Sequence, residues 1–406
     1  MSFEIDYSTY TLSELQEAYS TIDKNAYPDR ANEIMSRIQA LLSDESNLET
    51  NKETRISDSN IASRDKVKFN GNGTEYFAIW IVNILLTILT LGIYSAWATV
   101  RTNRYFFSNT EIGSHRLNYL AKPIQILKGR IIAVLLLATY LVMASFYPVG
   151  GFVVLLIIFA CMPYIVCFSM RFKMRMMSYR NIRFGFKMRF GRAFVVFVLF
   201  PILGIISLYL AFPWVMKKID EFLYENMTYG DRTFIPKLST GEYYAATLLS
   251  GLIGFISIVF SGIVFGIVAY AVNSIGIENS EVLGGVFAIV GMAFYLLGLL
   301  VASSFYTAYI RNHVYNNTRV EGVAVFESEV LTFPLAKLVL TNYFLLFLSL
   351  GLAYPWVMVR KAHFFANATT IVVLNDINNV IGANNADANA TADEVVGAFD
   401  IDLSIG

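Results

Sequence analysis

The run Asn83-Ile-Leu-Leu-Thr-Ile-Leu-Thr-Leu-Gly-Ile-Tyr-Ser-Ala-Trp97 returns as Asn342-Tyr-Phe-Leu-Leu-Phe-Leu-Ser-Leu-Gly-Leu-Ala-Tyr-Pro-Trp356. In both, Asn stands 14 positions ahead of Trp with a Leu-Gly pair between them. A third copy, Phe200-Pro-Ile-Leu-Gly-Ile-Ile-Ser-Leu-Tyr-Leu-Ala-Phe-Pro-Trp214, keeps the Trp, lacks the Asn, and has Leu208-Tyr209 at the place of the Leu-Gly pair. A second duplicated pattern, Arg175-x-x-x-Tyr179-x-Asn181-x-Arg183, matches Arg311-x-x-x-Tyr315-x-Asn317-x-Arg319. A repeat that returns apolar runs at long intervals restricts the chain to an architecture built by internal duplication.

The repeated runs are membrane-like. The chain of 406 residues is 56% hydrophobic and 15% charged, more apolar and less charged than a globular domain. Seven runs are apolar enough to enter a bilayer, near residues 77–97, 131–147, 152–170, 193–214, 243–272, 282–310 and 335–356. No apolar leader stands in the first 60 residues, so no cleavable signal is expected there. The formal net charge of zero conceals a division: residues 1–65 carry 13 acids against 6 bases, residues 373–406 carry 6 acids and no base, and the body between is basic. The bases fall in the connections, which suits anionic lipid headgroups or the chain's own acidic tails, and not nucleic acid.

Four segments follow. Residues 1–45 read as a soluble helical hairpin, with a capping box at Thr11–Glu14 and stripes at Leu12, Leu15, Tyr19, Ile22 and at Ala31, Ile34, Ile38, Leu41. Residues 46–65 read as a linker and 373–406 as an acidic polar tail. Between them, 66–372 forms a duplicated membrane domain, with units at about 66–184 and 185–320 and a half unit at 321–372. Within it short alternating stretches recur at Val67–Asn70, Arg116–Tyr119, Ile182–Phe186, Arg232–Ile235 and Val323–Phe326. An aromatic-Asn-Thr element, expected to be a turn, precedes most of them. The expected fold is an all-α polytopic membrane protein with internal repeats, short juxtamembrane β-strand cassettes and the N-terminal hairpin.

Charge placement leaves two topologies open. If all seven runs cross, the second unit is inverted relative to the first. The connections 101–130 and 171–192, with six and eight bases, then lie in the cytoplasm. That arrangement puts the acidic hairpin outside. Alternatively, only the pairs flanking Pro148–Gly151 and Asn273–Glu281, which hold no Lys or Arg, cross the membrane. The three Trp-terminated runs then enter and return on one side, breaking near Gly92, Gly204 and Gly351.

Three pieces, Phe69-Asn-Gly-Asn-Gly-Thr-Glu-Tyr-Phe77, Leu89-Thr-Leu-Gly-Ile-Tyr-Ser-Ala-Trp97 and Arg101-Thr-Asn-Arg-Tyr-Phe-Phe-Ser-Asn-Thr110, resemble the YjgN family of bacterial inner-membrane proteins over roughly residues 66–372. The resemblance implies a multi-pass protein of the bacterial inner membrane. It brings no activity, substrate or catalytic residues.

Candidate residues therefore come from the repeat. Asn83 and Asn342 are the notable polar residues inside apolar runs, able to line a polar path or to bond between helices. Trp97, Trp214 and Trp356 each precede a base by four residues, Arg101, Lys218 and Arg360, a pairing suited to the headgroup level or to a lipid pocket. Asp220, Glu221 and Glu225 read as a charged helical surface with Lys217 and Lys218. The glycines from Gly251 to Gly298, including Gly262-Ile-Val-Phe-Gly266, read as helix packing. Cys161 and Cys167 read as core residues, and His115, His313 and His363 lack metal spacing. No catalytic, metal or cofactor motif is expected. The absence of ionisable residues inside the runs argues against ion coupling. The expected function is binding or transport of a small molecule or lipid without ion coupling. The alternative is a membrane scaffold or envelope-integrity protein that holds anionic headgroups or a protein partner.

Overall fold

The computed structural model describes residues 12–22, 27–28, 30–39, 60–275 and 280–382. The chain divides into a small unit, Met1–Ile61, and a large one, Ala62–Gly406. In the small unit, α1 (Leu12–Thr21) and α2 (residues 30–39) bury Leu15, Ile34 and Ile38 together, with Ala18, Tyr19 and Ile22 packed around them. Thr11, Leu41 and the tail beyond residue 382 lie outside the described residues.

The large unit is a succession of cassettes, each a helical hairpin followed by a β-hairpin. Strands β1 (Ile61–Lys66) and β2 (Lys68–Phe69) lead in, β1 beginning inside the stretch expected as linker. The first cassette is α3 (Gly73–Leu89), α4 (Ser95–Ser108), β3 (Thr110–Ile112) and β4 (His115–Tyr119). The second is α5 (Pro123–Phe146), α6 (Pro148–Arg175), β5 (Met177–Tyr179) and β6 (Ile182–Phe186). The third opens with α7 (Phe190–Phe194), a π turn (Val195–Leu199) and α8 (Phe200–Ile206). It continues through α9 (Phe212–Glu225), β7 (Met227–Tyr229) and β8 (Arg232–Pro236). The fourth is α10 (Thr240–Ile275), α11 (Ser280–Asn316), β9 (Thr318–Val320) and β10 (Ala324–Ser328). The fifth is α12 (Thr332–Leu348), α13 (Tyr354–Asn367) and a single strand, β11 (Thr369–Leu374).

The strands overturn the all-α expectation. They form one 11-stranded antiparallel sheet in the order β1-β11-β10-β9-β8-β7-β6-β5-β4-β3-β2. Its two ends, β1 and β2, are consecutive in the chain and separated only by Val67. The Val67 N–H donates to Thr369 O (3.0 Å) and the Asn70 N–H to Asn109 O (2.8 Å). One short segment thus reaches both the last and the first cassette, and the sheet is nearly closed. The alternating stretches do become β2, β4, β6, β8 and β10. The difference lies in the pairing: each finds its partner in the next cassette, as Leu117 does opposite Tyr179 and Phe234 opposite Val320. The aromatic-Asn-Thr element is not a free turn. Asn109 and Asn226 turn their side-chain amides back to Tyr105 O and Phe222 O, ending the helix, and the strand starts at once.

Phe69, Ile112, Tyr179, Phe186, Tyr229, Phe234 and Val320 from the strands share one core with residues of α6, α9 and α13. Inside it the Tyr229 hydroxyl donates to Tyr179 O and the Tyr179 hydroxyl to Ile112 O, both at 3.0 Å. These bonds satisfy two phenols that burial would otherwise penalise. After β11 the chain crosses the sheet: Ile377 and Val380 enter the same core, and Ile381 exchanges backbone and carboxylate hydrogen bonds with Asp231.

The helices come in two lengths. Among the described residues four are long and apolar enough to cross a membrane: Pro123–Phe146, Pro148–Arg175, Thr240–Ala271 and Ala288–Asn316. The three Trp-terminated runs are instead short hairpins whose legs both join the sheet. A first leg of 17 residues rises about 25 Å at 1.5 Å per residue, and the second leg brings the chain back. Their tips are alike. Leu91, Leu208 and Leu350 take φ values of 50°, 52° and 49°. The next amide, of Gly92, Tyr209 or Gly351, donates to the carbonyl five residues earlier. The hydroxyls of Thr90, Ser207 and Ser349 then accept the N–H of Tyr94, Ala211 and Ala353. Each tip therefore satisfies its own backbone, which apolar surroundings require. Leu91 and Leu350 are 95% and 93% exposed.

The middle tip departs in one respect. Tyr209 occupies the glycine position at φ 66°, a region that costs an L-residue about 1–2 kcal/mol. Tyr209→Gly should stabilise the solubilised protein by about 0.5–1 kcal/mol after the extra freedom of the unfolded glycine is deducted. The midpoint of detergent-solubilised thermal unfolding reads it; a lower midpoint refutes the strain. Upstream in the same hairpin, Pro201 has no N–H to give, and the π turn just before it absorbs the break in the ladder.

The long pair α10 and α11 packs through Gly298, where a Cβ would fall 2.0 Å from Ser257, and through Gly291 beside Ser261. Gly251, Gly254, Gly262 and Gly266 have nothing within 4 Å, so among the described residues the packing expected of Gly262–Gly266 is not made.

Candidate functional site

The two asparagines of the repeat occupy the same place and have different partners. Asn83, buried on α3, accepts from Arg101 Nη1 at 3.3 Å and donates to Ala98 O at 3.5 Å. Arg101 also reaches the Tyr94 hydroxyl, at 3.2 Å. In the last cassette Arg360, the counterpart of Arg101, gives its Nη2 to Thr341 Oγ1 at 3.0 Å. Asn342 is 8% exposed, and its Oδ1 is buried with no hydrogen-bond partner. A buried acceptor left open costs about 1–3 kcal/mol, and Asn226 Oδ1, at the end of α9, is left open in the same way.

The tryptophans do not converge. Trp97 stacks on Tyr94 (6.1 Å between centroids) and Trp356 on Phe77 (4.9 Å), while Trp214 meets Phe200 at a tilt (4.6 Å, 55°). Lys218 pairs with Glu221 at 2.8 Å. Of the candidate site residues, Asn342 alone lines the cavity described next, where Arg311 and Tyr315 of the second duplicated pattern join it.

That cavity, of about 480 Å³, lies between α9, α11, α12 and α13. Its volume falls in the range of sites for small organic ligands. Met216, Ile219, Leu335, Leu338 and Val339 form apolar wall; Asp220, Tyr224, Arg311, Asn342 and Lys361 bring the polar groups. The Arg311 guanidinium carbon stands over two rings, 4.2 Å from the Tyr315 centroid and 4.6 Å from that of Phe365, and Nη2 donates to Thr369 Oγ1 at 3.1 Å. Lys361 is exposed and stands 5.7 Å from the same Phe365 ring.

Asp220 is the residue that the sequence reading misplaces. Glu221 does sit on a charged surface, with Lys217 and Lys218 each at 2.8 Å, and Glu225 reaches Arg192 at 2.8 Å. Asp220 turns the other way and accepts from the fully buried Tyr243 hydroxyl. Burial pushes its carboxyl up to about 6, against the opposing hydrogen bond from Tyr243. Its position with Met216, Ile219 and Leu223 on one helical face was the available signal. The histidines are dispersed: His313 accepts from the Ser239 amide (3.0 Å), and His363 ties α13 to Gly71 O (3.0 Å).

Short and membrane-length helical hairpins stand on one sheet, four of the described helices long and apolar enough to cross a membrane, as in a membrane protein. Residues 64–398 match the sequence profile described as bacterial protein of unknown function (DUF898), and the chain belongs to that family. It is 24% identical over 353 residues to the inner membrane protein YjgN of Escherichia coli O157:H7, covering 75% of this chain and 87% of that protein. It is 24% identical over 360 residues to the YjgN of Salmonella typhimurium, covering 77% and 90%. No solved structure matches.

Proposed function

We propose that this chain is an integral protein of the bacterial inner membrane that binds a small molecule or lipid in the cavity between α9, α11, α12 and α13. The observation that carries the reading is the largely apolar cavity itself, with buried Asn342, whose Oδ1 has no hydrogen-bond partner, among its lining residues. Binding, in place of catalysis or ion coupling, suits a site with one strongly held arginine and no nucleophile–base pair. The names of the relatives support the inner membrane. The sheet-side connections carry the bases, which supports a cytoplasmic sheet.

Filling the cavity tests this. The full-length Val339→Trp protein should lose at least tenfold of the ligand that co-purifies with the wild type, read by native mass spectrometry, while keeping its unfolding midpoint. A folded Val339→Trp protein with an undiminished ligand load rejects the binding site. A second reading, a scaffold that offers its surface to lipid or to a protein partner, rests on the four long helices, of whose most apolar windows at most 22% is buried. That reading expects filling the cavity to change nothing.

A further inference from the structure

We infer that the cavity takes a protonated amine carried on an apolar skeleton; this rests on the binding reading above. Asp220, on the cavity wall, is the residue that points to it. Among the described residues its carboxylate accepts one hydrogen bond, from the Tyr243 hydroxyl to Oδ2, and makes no ion pair. The lysines beside it in the chain supply no counter-charge, since Lys217 and Lys218 both go to Glu221 at 2.8 Å. The cations that share the wall are gathered at Phe365. The Arg311 guanidinium carbon stands 4.6 Å from that ring and Lys361 Nζ 5.7 Å from it, and Arg311 also donates to Thr369. A carboxylate taken out of water without a counter-charge is costly. An ammonium beside its second oxygen supplies that charge.

The neutral polar groups of the wall have the same sense. Ser303 and Ser304 both donate their hydroxyls to Leu300 O, at 3.0 and 2.7 Å, so what they have left to offer is lone pairs. Asn342 Oδ1 accepts from nothing. The second oxygen of Asp220, when ionised, is an acceptor only. A ligand that meets these groups brings N–H bonds. A phosphate or carboxylate would bring lone pairs where the wall already has them. The Tyr224 phenol is raised by burial, then by Tyr315 and by the Asp220 charge, so it stays neutral and adds no competing anion. Met216, Ile219, Leu338 and Val339 take the carbon skeleton.

The experiment uses the purified full-length protein in a maltoside detergent, with n-octylamine as probe and the concentration dependence of the unfolding midpoint as readout. 1-Octanol, octanoate and octyltrimethylammonium carry the same chain with no charge, the opposite charge and no N–H. Octylamine should bind at least tenfold more tightly than each of them. Asp220→Asn, which keeps an acceptor for Tyr243, should remove that preference. Asn342→Leu should weaken octylamine about fivefold, and Asn83→Leu should not, because Asn83 lies outside the cavity. The titratable groups around Asp220 are Tyr224 on α9, Tyr243 on α10 with His313 against its ring, and Tyr306 on α11; Arg311 and Lys361 stand on the same wall. Burial pushes the Asp220 carboxyl up to about 6, against the hydrogen bond from Tyr243. Octylamine stays protonated, as lysine does, so its affinity should fall as the pH drops through that value, and the Asp220→Asn protein should show no such fall. Equal binding of octanol or octanoate, or an octylamine affinity indifferent to Asp220→Asn, overturns the ammonium while leaving the cavity reading standing. Equal binding of octyltrimethylammonium overturns the protonated amine in favour of a bare cation. Octylamine binding that survives Val339→Trp overturns the site itself. The four probes on the wild type decide the matter even where a variant fails to fold.

Discussion

Cysteines introduced as Arg116→Cys and Arg232→Cys will behave alike, and Pro148→Cys will behave oppositely. In a chain with Cys161 and Cys167 replaced by Ala, a membrane-impermeant maleimide added to spheroplasts should label Pro148→Cys and spare the other two until the membrane is opened. The expectation comes from pairing. Arg116 is on β4 and Arg232 on β8, and the strands between them form one uninterrupted run of the sheet. No bilayer can separate strands that share a ladder. Both long hairpins turn far from that sheet, at connections without Lys or Arg. The all-crossing arrangement demands opposite behaviour from positions 116 and 232, because one Trp-terminated run plus two others lie between them. Unequal labelling of those two positions therefore rejects the short hairpins.

Enlarging Gly73 will break the seam where the first and last cassettes meet. A Cβ on Gly73 would fall 2.3 Å from Trp356 Cδ1 and 2.9 Å from Nε1. That indole is itself stacked on Phe77 and cannot retreat without giving up the contact. Helix propensity alone would favour a larger residue by up to about 1 kcal/mol. Overpacking costs about 1–3 kcal/mol, so Gly73→Val should destabilise by about 2–3 kcal/mol in detergent. Trp356→Ala should relieve most of that penalty, giving a coupling of about 1–3 kcal/mol in a double-mutant cycle. Additive effects of the two substitutions would show that Gly73 does not meet the ring.

How much of this was written locally follows from particular residues. The hairpin tips were legible: Thr90, Ser207 and Ser349 stand one place before Leu91, Leu208 and Leu350 in every copy, and the hydroxyl proves to be the cap. The second strand of each β-hairpin was legible from alternation. The first strands were not, since Thr110–Ile112, Met177–Tyr179 and Met227–Tyr229 have three residues each, too few for a period to register. Closure was invisible for another reason: β1 and β2 pair with elements some 300 and 40 residues away, and no local pattern carries such a pairing. Asn342 was legible as a buried polar residue, whereas its open oxygen depends on Arg360 choosing Thr341. Asp220 was lost among charged neighbours because its partner, Tyr243, belongs to the next cassette.

The short hairpins have a consequence for the lipid around them. The legs of all three stand beside the sheet-side parts of the four membrane-length helices, and only those four are long enough to extend further. Taken by itself, the large unit is a wedge, with five helical hairpins on the side of the sheet and only two long enough to reach further. A wedge displaces more lipid area from one monolayer than from the other, so each copy inserted expands the monolayer facing the sheet. Its neighbours must bend or thin to fit it, and the protein is most at ease where the membrane already bulges toward that side.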